Sequence, residues 1–194
     1  HHTLHAWIPK RCYGKHYYPF TWQIGPVFDS IWFAEGFVQY VAGLVTMNLT
    51  SNPRLFFDCL LNQRFLSPFN EAPSFIRDMD LIYLTEVAST QYSNDWRIAS
   101  NVFARGALMA WQMDQFIRAK TQGTRGIQEA LQWTVGWSVT HKKAFAIDQL
   151  PAFFLTATGT DTILLYQRWL KAPLNSTLPN QVLPPGQGCA QLYL

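Results

Sequence analysis

Between Phe28 and Val45 the chain sets apolar side chains at Phe28, Ile31, Trp32, Ala34, Phe37, Val38, Val41, Ala42 and Val45, close to the 3.6-residue period of a helix. Charge is nearly absent from this stretch, so the spacing predicts a helix buried deep in a core that the rest of the chain must supply. Glu35 stands in its middle, within Trp32-Phe33-Ala34-Glu35-Gly36-Phe37. Burying a carboxylate costs several kcal/mol unless it is paired or bound to a metal. A salt bridge and metal ligation are therefore both open explanations for it.

The remaining sequence reads as helices that surround this one. One is expected from Pro53, well suited to a helix start, to Leu66, with Pro68 closing it. Another covers Asp80 to Ser89, and Ser93, Asn94 and Asp95 interrupt before a long helix from about Ile98 to Thr121 that ends at Gly123. Thr124 is the expected cap of the next, running through Trp133 to Trp137, and Thr140 of a further one reaching Thr158 with a kink at Pro151. A last helix is expected from Thr162 to Leu170. Ile8 to Pro26, rich in Pro, Gly and aromatics, reads as an ordered loop held by Tyr17, Tyr18 and Trp22, and the Pro- and Gly-rich stretch 173–194 as an extended tail. Few segments alternate as strands do, and no internal repeat is evident. The expected fold is mainly α, with residues 1–172 as one helical unit followed by the tail.

Composition narrows the function classes. Fifteen basic and 12 acidic residues among 194 give a net charge of +3 spread along the chain, with no basic patch for nucleic acid. Charged residues make up only 14%, lean for a free-standing domain, which points to surface covered by further sequence or a partner. The most apolar run, Phe37 to Met47, is too short for the ~20 residues a membrane helix needs, and no signal peptide is recognisable, so no membrane partner is expected and the compartment is open. Cys12, Cys59 and Cys189 are odd in number and irregular in spacing, so free thiols are expected rather than a disulfide framework or a Cys-based zinc site.

The chain opens His1, His2, Thr3, Leu4, His5, which places His1 and His5 four apart on one helical face, an arrangement that lets both imidazoles ligate one zinc ion. With Trp7, Pro9, Lys10 and Arg11 following, this string resembles the H-E-x-x-H-T-W-N-x-K-R motif of the glycyl aminopeptidase family of gluzincin zinc metallopeptidases. Thirty positions beyond His5, Glu35 lies in a segment similar to that family's W-x-x-E-G-F-T, which supplies the third ligand. Arg105, Gly106, Ala107 and Leu108 resemble its Y-x-K-G-A-L segment, and the likeness loosens beyond Ala144. The resemblance implies the helical subdomain of a thermolysin-like catalytic domain, with the β-subdomain that precedes the motif in that family expected as a partner elsewhere in the same protein. It implies one zinc ion held by His1, His5 and Glu35, with a water in the open fourth position and a peptide or protein as substrate or ligand.

Two positions depart from the family. The glutamate that serves as general base is replaced by His2, and the tyrosine that donates to the oxyanion is replaced by Phe103. Removing one oxyanion donor costs about 2.7–4 kcal/mol, and losing the general base a further ~10²–10⁴ in rate. The expectation is a peptidase-like domain that keeps its ligands but is nearly silent and acts by binding. Two alternatives remain: an active zinc aminopeptidase using His2 as base and favouring small N-terminal residues, or a metal-free helical interaction module. His16 and His141 read as surface residues, Gln39 as either an orienter of a ligand imidazole or a core residue, and Glu86 and Ser89 as helix-surface residues in a segment that resembles the family's pocket region. The tryptophans read as core.

Overall fold

The computed structural model describes residues 1–17, 26–91, 94–171 and 189. Tyr18, Trp22, Ser93 and the tail other than Cys189 lie outside these. The described residues are mainly helical, without a strand, and the one β-bridge among them joins Gly14 to Phe145.

The segment that carries Glu35 is a π-helical stretch, Trp32–Phe37, which runs straight into α1, Val38–Met47. Its burial follows the sequence pattern: Trp32, Phe33, Phe37 and Tyr40 are fully buried, and only the face bearing Ala34 and Glu35 is partly open. Against it lies α6, Trp96–Lys120, capped by Asp95, whose carboxylate accepts from the Arg97 amide at 3.0 Å. Gly36 and Gly106 make this crossing possible. A Cβ on Gly36 would stand 2.5 Å from the Gly106 Cα, and one on Gly106 would stand 2.8 Å from the Trp32 carbonyl carbon. The two backbones thus meet where neither residue has a side chain.

A second chain of helices wraps this pair. α2, Pro53–Leu60, passes through a π-helical stretch, Leu61–Leu66, into α3, Ser67–Asn70, followed by α4, Ser74–Arg77, and α5, Leu81–Gln91. Pro68 does not end the helix as expected. The π-register carries the Ser67 amide to the Asn62 carbonyl, five residues back, and this shift absorbs a residue that cannot donate to the ordinary ladder.

α7, Ile127–His141, α8, Leu150–Thr158, and α9, Ile163–Leu170, complete the described helices. Thr124 is not the cap of α7: its hydroxyl donates to the Thr121 carbonyl, and Gly126 takes the cap position while Glu129 accepts from the Gly126 amide at 2.7 Å. Thr140 does not start a helix either, because α7 continues through it until Lys142 turns left-handed at φ 50°. The chain is then drawn away by its bridge to Gly14. Pro151 falls in the first turn of α8, where its missing N–H has no partner to lose, so it starts the helix instead of kinking it.

Asp114, 1% exposed on α6, ties three elements together. Its carboxylate accepts from Tyr40 of α1 and Arg118, each at 2.8 Å, and from the Ile127 amide that opens α7 at 2.8 Å. The expectation of three free thiols also needs correction. Cys59 and Cys189 form a disulfide across 130 positions of sequence, and Cys12 alone is free, buried in the core.

Candidate metal centre

His5 lies in a 3-10 turn, Leu4–Ala6, and His1 stands just ahead of it. The Leu4 amide donates to the His1 carbonyl at 3.0 Å and the Ile8 amide to the Leu4 carbonyl at 3.0 Å, so one turn suffices to align both imidazoles. Glu35 approaches from the open face of the π-helical stretch. His1 Nε2 lies 3.0 Å from Glu35 Oε2, His5 Nε2 lies 3.4 Å from the same oxygen, and the two imidazole nitrogens are 3.0 Å apart.

These distances test whether the donors fit one ion. Ligand atoms at zinc bond lengths of 2.0–2.1 Å in a tetrahedron are separated by about 3.3 Å. The observed triangle fits that spacing, and the donor set of two imidazoles and a carboxylate is one that zinc takes. His5 Nδ1 donates to the Ile8 carbonyl at 2.7 Å, which leaves the Nε2 lone pair facing the cluster. The side chains of His1, His5 and Glu35 keep 30, 18 and 26% exposure, so one side of the cluster is open to a ligand. Burial pushes the Glu35 carboxyl above the ordinary carboxylate value, and His5, by charge and hydrogen bond, and His2, by charge, pull it back part of the way.

Among the described residues, only these three side chains bring metal-ligating atoms within 4.8 Å of one another in this way. His2 is not one of them. It is exposed, with its ring centroid 5.1 Å from that of His1 and 6.2 Å from that of His5. Phe103 stands on α6 in the wall of a cavity that opens beside Glu35, its ring edge-on to Trp96 at 5.8 Å. It offers that cavity no hydroxyl.

The other candidates take structural places. His16, itself exposed, pairs at 3.0 Å with the buried Asp29, and His141 lies against Trp137, with its Nδ1 2.8 Å from the Trp137 carbonyl. The Ser89 hydroxyl accepts from the Phe28 amide at 2.9 Å and donates to the Thr85 carbonyl, which moors the approach to Glu35 on α5. Glu86 lines a separate groove with Asp80 and Tyr83, and Gln39 borders another beside His1. Two participants were not anticipated: the Ile8 carbonyl, which no side-chain pattern marks, and Phe145, which reaches the cavity only because the bridge brings residues 131 positions apart together. A scan against protein-family models and a search among curated proteins both returned no match to this chain.

Proposed function

We propose that this chain is a gluzincin-type metallopeptidase domain of the glycyl aminopeptidase kind, built on the helical part of the thermolysin-like fold, that holds zinc but is impaired in hydrolysis and acts chiefly by binding a peptide. The observation that carries this reading is the convergence of His1 Nε2, His5 Nε2 and Glu35 Oε2, from two segments 34 positions apart, to within 3.0–3.4 Å. A zinc ion there supplies Lewis acidity toward a peptide carbonyl. His5 contributes a nitrogen whose tautomer the Ile8 carbonyl fixes, and Glu35 adds charge from the tightly packed crossing at Gly36. Catalysis lacks two parts. His2 presents an imidazole of different reach where the resemblance calls for a carboxylate, on the exposed side of the turn, and Phe103 donates nothing to a developing oxyanion.

Metal counting after equilibration with zinc and dialysis tests the ligand set. One ion per chain is expected, lost on His5→Ala; stoichiometric metal that survives this substitution overturns the assignment. Turnover of glycyl and alanyl substrates tests the impairment. The native chain should stay near the uncatalysed baseline, and His2→Glu combined with Phe103→Tyr should raise the rate by at least ~10³.

A further inference from the structure

The cavity beside Glu35 has a volume of about 280 Å³. Phe28, Phe33, Ala99, Phe103 and Phe145 contribute apolar walls, and Glu35 is the charged residue among those that line it. Several of these walls are stiff. Phe33 and Phe145 pack edge to face at 5.3 Å, Phe28 lies 4.8 Å from Tyr17, and Trp96 backs Phe103. An apolar cavity of roughly 150 Å³ takes a benzene ring, so a space of this size suits one leucyl or phenylalanyl side chain. A glycyl residue would leave it unfilled. Where the family's tyrosine would place a hydroxyl, Phe103 adds to the apolar lining.

We infer that this cavity receives one medium-to-large apolar side chain of a peptide whose backbone lies against the His1, His5 and Glu35 cluster, so that the site selects leucine- or phenylalanine-sized residues over glycine or alanine. The inference rests on the metal-holding reading and reverses the small-residue preference that the family resemblance implies. Each methylene placed in a well-formed apolar pocket discriminates by ~10–200-fold at most, so the several carbons of leucine should yield a large preference.

The test uses the zinc-loaded chain and measures by calorimetry the affinities of glycine, alanine, leucine and phenylalanine hydroxamates, which share one metal-binding group and differ only in side chain. Leucine and phenylalanine hydroxamates should bind at least ~30-fold tighter than glycine hydroxamate. Ala99→Leu, which narrows the cavity, should weaken leucine hydroxamate at least ~10-fold more than glycine hydroxamate. Ala88→Leu, from another wall, reads the same effect should the first variant not fold, and retained zinc reports folding of either. Equal affinities across the series with zinc bound overturn the inference alone. A chain that takes up no zinc overturns the reading beneath it.

Discussion

Replacing Gly106 by alanine sets helix propensity against packing, and the geometry decides which wins. In an isolated helix the change gains about 1 kcal/mol. Here the new Cβ would lie 2.8 Å from the Trp32 carbonyl carbon and 3.1 Å from the Gly36 Cα, and closer still to the Trp32 carbonyl oxygen. Carbon atoms rest comfortably at ~3.5–4.0 Å, so α6 and the π-helical stretch must part by roughly 1 Å. The obstructing atoms are backbone, which no rotamer change can clear, and the cost falls at or above the upper end of the ~1–3 kcal/mol seen for overpacked cores. The net effect should be a loss of about 2 kcal/mol or more, read by urea denaturation of the metal-free protein. Because Glu35 adjoins the crossing, the same displacement is comparable with half a zinc–ligand bond and should lower zinc affinity at least ~10-fold. Gly136→Ala is the control: that glycine is exposed in α7 with nothing within 4 Å of its Cβ, so this variant should gain ~0.5–1 kcal/mol. Gly106→Ala matching or exceeding the native stability, with the control behaving as stated, refutes the reasoning.

Asp114→Ala should cost about 3 kcal/mol in denaturant titration, because it strips partners from Tyr40, Arg118 and the Ile127 amide at once. Burial raises the Cys12 thiol from 9.0 to about 11, so the folded state binds the proton more tightly than the unfolded one. Stability from this group is present below pH 9 and falls by roughly 2–3 kcal/mol as pH rises through 11, and Cys12→Ala should flatten that part of the pH profile. After air oxidation, thiol titration of the denatured chain should find one reactive group without reductant and three with it, matching one free cysteine and one disulfide.

Helix content was legible in the sequence wherever periodicity was long and uninterrupted. The long helix expected from about Ile98 to Thr121 is α6, Trp96–Lys120, which starts two residues earlier because Asp95 caps it. The errors fell on residues whose role depends on register. Pro68 is a breaker on the ordinary ladder and harmless after a π-turn, while Thr140 and Pro151 took their places from a bridge to Gly14 that local sequence does not encode. At the site, i to i+4 spacing and a lone carboxylate left a salt bridge and metal ligation both open, and only the likeness to a family motif singled out His1, His5 and Glu35 as one set, whose atoms the fold does bring together. The Ile8 carbonyl and the Phe145 wall were invisible because a backbone oxygen and a distant aromatic carry no local signature. The pairing of Cys59 with Cys189 was missed for a related reason: their Cα atoms are 5.7 Å apart, a proximity that spacing along the chain does not express.

The three converging donors are not equally anchored. Glu35 is stationed on the tightest contact of two long helical elements, whereas both imidazoles ride on one short turn secured by a few amide bonds and the Ile8 acceptor. An ion bridging them would staple that turn to a carboxylate set beside the packed crossing. Metal uptake should therefore slow hydrogen exchange of the amides between Leu4 and Cys12 while leaving those around Gly36 nearly unchanged.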